Sequence, residues 1–308
     1  MRILVTGGCG FIGSNFILYL LKNYPGDSVI NLDKLTYAAN PKNLEAVADN
    51  PRYIFVKGDI CDGKLVSEVV AGCDAIINFA AESHVDRSIT EPAPFIQTNI
   101  NGTAALLESC RRKNIPRFVQ ISSDEVYGSI KEGTADEESP LRSSSPYSAS
   151  KASADLLCLS YYTTHRTPVL ITRSSNNYGP RQYPEKLVPL FITLALADKP
   201  VPLYGDGQNE RDWLFVEDNC RAIDLVLRQG KNGEIYNIGT DSPVPNIEIV
   251  KILLDLLGKP LSLIRYVPDR PGHDWRYAIN WAKIKALGWQ PSVSLEDGLK
   301  LTIPWYRT

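Results

Sequence analysis

The stretch Arg2-Ile3-Leu4-Val5-Thr6-Gly7-Gly8-Cys9-Gly10-Phe11-Ile12-Gly13-Ser14 decides how the rest of the chain reads. A short β-rich run ends in glycines at 7, 10 and 13, and an apolar helical pattern continues to Leu21. Glycines between a strand and a helix let the backbone turn sharply and approach a pyrophosphate, which then lies at the helix N-terminus. A glycine repeat alone says little; with these flanking elements it points to a dinucleotide site. The next strand, 28–32, ends in Asp33. A carboxylate there accepts hydrogen bonds from adenine-ribose hydroxyls and repels a 2′-phosphate, so NAD is favoured over NADP. Lys34 next door weakens that preference, and an exposed turn acid is the plain alternative for Asp33.

Strand and helix patterns alternate outward from this unit. Strands are expected at 53–57, 75–79, 117–122 and 169–173, with helices from Thr98 to about Lys113 and from Pro146 to about Tyr162. Such alternation specifies an α/β fold with a doubly wound parallel sheet. The expected NAD-binding domain is 1–173, with a return of the chain around 212–240. A smaller α/β lobe for substrate is expected over 174–308. Its pattern gives helices from Lys186 to Ala197, 218–229 and 246–257, and strands at 213–216 and 233–238.

Composition narrows the function classes. Net charge is 33 − 35 = −2, which gives no electrostatic case for a nucleic-acid partner. A 44% hydrophobic, 22% charged chain of 308 residues can bury a large core. No apolar run is long enough to span a bilayer, and the N-terminus does not read as a signal peptide. Cys9, Cys61, Cys73, Cys110, Cys158 and Cys220 are scattered, without metal-ligand spacing. They read as small apolar residues in a reducing cytoplasm, and no metal site is expected.

The chemistry-bearing residues gather where strands end. Asp59 could bond an adenine amino group or cap a helix. Small residues at Ala80 and Ala81 permit close cofactor approach; His84 is either a ligand contact or a structural histidine. Asn99 reads as a polar residue of a helix's first turn. Strand 117–122 delivers Ser123-Asp124-Glu125. Adjacent carboxyls push their pKa values apart, giving an acid and a base. Their bland reading is a pair of helix-cap acids favoured by the dipole. In Ser145-Pro146-Tyr147-Ser148-Ala149-Ser150-Lys151, Pro146 suits a helix start. Tyr147 and Lys151 then share one face. Lysine and a bound nicotinamide would both lower the phenol's pKa, giving a base for a sugar alcohol. Read alone, the same pair is a solvated helix face.

Taken together, these residues resemble the extended short-chain dehydrogenase/reductase superfamily, essentially end to end. The likeness rests on Gly7, Gly10 and Gly13, Asp33, Asp59-Ile60 and Tyr147–Lys151. Three strings are similar to the dTDP-glucose 4,6-dehydratase family: Ala80 to Ser88, Asp124-Glu125-Val126-Tyr127-Gly128, and Asp269-Arg270-Pro271-Gly272-His273-Asp274. Epimerase and decarboxylase relatives lack the acid pair. Two departures stand out. Ser123 occupies a position where threonine is usual, and Trp275 one where arginine is common; the hydroxyl survives the first change.

The resemblance implies a Rossmann-type NAD domain. Around NAD it places Gly7, Gly10, Phe11, Ile12, Gly13, Asp33, Lys34, Leu35, Thr36, Asp59, Ile60, Phe79, Ala80, Ala81, Ser83, Thr98, Tyr147, Lys151 and Asn177. Around the nucleotide sugar it places Ser83, His84, Ser123, Asn176, Lys186, Leu187, Pro202, Tyr204, Arg211, Asn246, Arg270 and His273. It implies a lyase that converts dTDP-glucose to the 4-keto-6-deoxy sugar by internal oxidation, elimination and reduction. Tyr147 serves as phenolate base, Lys151 as its partner, Ser123 as orienting hydroxyl, Glu125 as C5 base and Asp124 as acid. A cytoplasmic homodimer follows from the same likeness. The rivals are a nucleotide-sugar 4-epimerase and a non-catalytic NAD-binding protein.

Overall fold

The computed structural model describes residues 1–307. The order begins β1 (Arg2–Thr6), α1 (Phe11–Asn23), β2 (Ser28–Asp33), β3 (Tyr53–Lys57), α2 (Gly63–Val69), β4 (Ala75–Asn78) and α3 (Val85–Thr90). A short α4 (Ala93–Phe95) runs through a π-helical stretch, Ile96–Gly102, into α5 (Thr103–Lys113). There follow β5 (Phe118–Ser123), a 3₁₀ turn Asp124–Tyr127, α6 (Pro146–His165), β6 (Val169–Ser174), β7 (Asn176–Tyr178) and α7 (Leu187–Leu196). The rest is β8 (Val201–Tyr204), β9 (Glu210–Phe215), α8 (Val216–Gln229), β10 (Ile235–Ile238), β11 (Pro243–Pro245), α9 (Asn246–Leu257), β12 (Ile264–Val267), α10 (Ala282–Ala286) and α11 (Leu295–Thr302).

Seven strands form one parallel sheet in the order β10-β6-β5-β4-β1-β2-β3. Strands β1, β4 and β6 are almost wholly buried, as expected of a sheet covered on both faces. One apolar layer joins α1 and α8 to the sheet through Phe16, Ile17, Leu20, Ile223 and Leu227. The other joins α2, α5 and α6 through Val66, Leu106, Leu107 and Cys158. Strand order reverses between β1 and β4, and the carboxyl ends there open the crevice in which such sheets bind ligands.

The later segments build two small sheets, β11-β9-β7 and β12-β8, over a third apolar cluster from α7 and α9. The return of the chain to the large sheet is carried by α8 and β10. Strand β9, expected to return with them, pairs instead with β7 and β11. The three-residue strands β7 and β11 have no period of their own to read.

Candidate active site

The glycine turn is tightly built. Gly7 has φ +66°, and a Cβ there would meet the Ala80 backbone nitrogen at 2.7 Å. A Cβ on Gly13 would meet the Gly7 carbonyl oxygen at 2.5 Å. Both glycines are therefore required by contact, Gly7 also by backbone angle. Asp33 braces this turn: Oδ2 accepts from the Cys9 amide at 2.8 Å and Oδ1 from the Leu35 amide at 2.7 Å. Burial pushes its carboxyl up, and those two amides pull the other way.

A cleft runs from this turn past the ends of β2, β3 and β4 to the start of α6. Of the residues expected around NAD, it is lined by Gly7, Gly10, Phe11, Ile12, Gly13, Asp33, Lys34, Thr36, Asp59, Ile60, Phe79, Ala80, Ala81, Ser83, Thr98, Tyr147 and Lys151. Leu35 and Asn177 do not line it. Leu35 adopts φ +58° and packs against the large-sheet core. Asn177 lies on β7 and turns its amide nitrogen to the Ser175 carbonyl, at 2.9 Å. Asp59 is no helix cap, since Asp62 caps α2; it pairs with Lys34 at 2.7 Å across the mouth of the cleft.

A second cavity opens beside the first and shares Glu185 and Lys186 with it. Here stand His84, Asn176, Lys186, Leu187, Pro202, Tyr204, Arg211, Asn246, Arg270 and His273, all expected around the sugar. Ser83 lines the first cavity instead; its carbonyl accepts from Lys186 Nζ at 2.7 Å. Ser123 lines neither. His84 caps α3 by accepting from the Arg87 amide at 3.3 Å, so its structural and ligand-facing readings coexist.

Local sequence sets the proton-handling groups. Ser145 and Ser148 form a capping box, and Pro146 starts α6, so Tyr147 and Lys151 share the cleft-facing side. Lys151 Nζ donates to the Ile121 carbonyl at 2.5 Å, and burial lowers its pKa to about 8 against the pull of Asp155. The phenol of Tyr147 departs from the expectation. Burial pushes it up, and Glu125 and Asp124 add to the rise, while the Ser123 hydroxyl works against it. Acids, not cations, are the protein charges acting most strongly on this phenol. Lys151 spends its ammonium on the backbone.

The acid pair is split by its surroundings. Glu125 lines the second cavity, and burial raises its pKa against Lys186, Arg270 and Arg211. Asp124 is 3% exposed and lines neither cavity. Burial, then Glu125 and Asp212, raise it well above the usual carboxylate range. Ser123 donates to its Oδ1 at 3.3 Å, and Oδ2 has no hydrogen-bond partner among the described residues. The turn is also a capped 3₁₀ turn, with Ser123 accepting from the Glu125 amide, so the bland reading of the acids holds for the backbone only.

Sequence reasoning missed Tyr277, which lines the second cavity with its ring under the Arg211 guanidinium, 4.2 Å away. It also missed the buried pair behind Lys151. Asp155 Oδ2 accepts from Arg173 Nε at 2.9 Å and from Ser122 Oγ at 3.0 Å. Asp155 lies one turn after Lys151, a spacing that the i, i+4 rule could have flagged.

A dinucleotide-type cleft is joined to a polar cavity lined by Glu125 and the cations Lys186, Arg211 and Arg270, the plan of a nucleotide-dependent enzyme, and comparison with known proteins gives the family. The chain belongs to the family described as GDP-mannose 4,6 dehydratase, whose model matches residues 4–302. It is 54% identical over 312 residues to dTDP-glucose 4,6-dehydratase of Streptomyces niveus, covering 100% of this chain and 93% of that one. It is also 54% identical over 306 residues to the low-salt glycan biosynthesis protein Agl12 of Haloferax volcanii, covering 99% and 98%. The crystal structure of DesIV, a dTDP-glucose 4,6-dehydratase from Streptomyces venezuelae with NAD bound, superposes with a TM-score of 0.98 at 51% identity, covering 100% and 97%.

Proposed function

We propose that this chain converts dTDP-glucose to dTDP-4-keto-6-deoxyglucose and water. The observation that carries the reading is the junction of two cavities, with Tyr147 in one and Glu125 in the other. NAD fits the first cavity, because Gly7 and Gly13 let the β1–α1 turn close on itself and on Ala80 where a Cβ would collide, and this turn and Asp33 at the end of β2 both line the cavity. Gly7, Gly10, Gly13, Asp33, Thr98 and Lys151 would hold it, and bound there it supplies a hydride acceptor for C4 and a hydride donor for C6.

Tyr147 takes the C4 hydroxyl proton, with Ser123 orienting the oxygen and Lys151 fixing the helix face. The phenol of Tyr147 would need a nicotinamide cation beside it to be lowered, because the protein's own acids raise it. The 4-ketone acidifies C5, so oxidation precedes elimination. Glu125, kept nearer the carboxylate by three cations, takes the C5 proton. Asp124, held neutral by burial, gives its proton to the departing C6 hydroxyl, and its unpartnered Oδ2 is the atom suited to carry it. Glu125 then returns a proton to C5. Lys186, Arg211 and Arg270 suit a diphosphate.

The protein works as a cytoplasmic homodimer. Its free cysteines and the exposed Ile96 and Leu156 on the helices around α5 and α6 support this reading. No helix among the described residues is long and apolar enough to cross a membrane. The test is product identification with dTDP-glucose and UDP-glucose side by side. The reading requires a 4-keto-6-deoxy product lighter by one water, formed faster from dTDP-glucose. A 4-epimer alone would refute it in favour of the epimerase reading.

A further inference from the structure

Behind Glu125 a chain of hydroxyl and carboxyl groups leads out of the sugar cavity. Tyr277 donates to Asp274 Oδ2 at 2.7 Å, and its hydroxyl lies 3.5 Å from Glu125 Oε2. Ser144 donates to the same Asp274 oxygen. Tyr277 is 2% and Asp274 7% exposed, whereas Ser144 is at the surface. The inner links are held from two sides. The Arg211 guanidinium lies over the Tyr277 ring, and Arg211 Nη2 donates to the Asp274 carbonyl at 2.9 Å. A bound sugar would cover the cavity side of Glu125, leaving this chain as its contact with water.

We infer that Glu125, Tyr277, Asp274 and Ser144 form a proton relay through which the group that deprotonates C5 exchanges with solvent during turnover. The inference rests on the dehydratase reading above. Protonated Glu125 passes its proton to the Tyr277 oxygen as the Tyr277 proton moves to Asp274. Asp274 passes a proton to the Ser144 oxygen as the Ser144 proton leaves to water. One O–H bond breaks for each that forms, no electron moves, and the reverse sequence reloads Glu125. Tyr277 and Asp274 act through Glu125 and are positioning and relay residues.

The experiment runs the reaction in D₂O and measures deuterium at C5 per product molecule by NMR. This ratio does not depend on the fraction of folded protein. The wild type should place close to one deuteron at C5. Tyr277→Phe keeps the ring over Arg211 and removes only the hydroxyl; its product should carry less than half that deuterium. Asp274→Asn keeps Tyr277 and blocks the hop at the next link, and it carries the test if Tyr277→Phe gives no product. Wild-type deuterium content in either variant overturns the relay and leaves the dehydratase reading intact. Wild-type product without C5 deuterium also overturns the relay alone. A wild type that yields no keto sugar overturns both.

Discussion

Severing the Asp155–Arg173 pair tests whether the site rests on a buried charge. The two side chains are 0% and 2% exposed and 2.9 Å apart. Asp155 also takes Ser122 Oγ, and Arg173 Nη1 donates to Tyr127 Oη at 2.9 Å. Asp155→Leu leaves a guanidinium in the core with only that neutral partner. Breaking a buried pair from one side costs about 3–5 kcal/mol. At about 2 °C per kcal/mol for a chain of this size, the melting temperature should fall by about 6–10 °C. Removing both charges together, as Asp155→Leu with Arg173→Met, should restore most of the loss, because apolar groups of similar volume replace a buried pair at little net cost. Calorimetry on the wild type, both single variants and the double variant closes the cycle. Additive losses, or a single-variant loss under about 1 kcal/mol, would refute the reasoning, since no coupling would then cross the pair.

Other expectations follow from the same geometry. Glu125→Gln should still bind NAD and develop reduced-nicotinamide absorbance with substrate, while product formation falls about 10²-fold or more, in the range of a lost general base; unchanged turnover would remove Glu125 from the mechanism. Lys151 carries its charge below about pH 8 and loses it as pH rises through that value. Turnover should therefore decline on the alkaline side, and a profile flat to pH 10 would contradict a charged Lys151 at work. Gly13→Ala should abolish NAD retention through purification, because the added Cβ would lie 2.5 Å from the Gly7 carbonyl oxygen; retained cofactor would show that the turn can shift.

Much of the fold was legible because its signals are local. The β1–glycine–α1 unit, the acid at the end of β2, and the runs at 53–57, 169–173 and 246–257 each state their period within a few residues. The π-helical stretch from Ile96 did not announce itself, since its apolar spacing passes for an ordinary helix. Within the site, strand-end position placed most expected residues along the two cavities. It failed for Leu35, where a left-handed backbone angle redirects the side chain. Ser123 and Asp124 line neither cavity themselves; the 3₁₀ turn after β5 sets Glu125 on the cavity wall and the Asp124 carboxyl behind it. Tyr277 and Arg173 were illegible because their partners lie 152 and 18 residues away, at separations no pattern encodes. For Tyr147, spacing showed a lysine nearby, but neither the Ile121 carbonyl that accepts its hydrogen bond nor the acids that raise the phenol.

Tracing the C4 hydrogen gives the most direct measurement. With dTDP-glucose carrying deuterium at C4, the product should hold that deuterium at C6, undiluted by solvent, beside a ketone at C4. Deuterium at C4 of a 4-epimeric product, or released into water, would contradict the account.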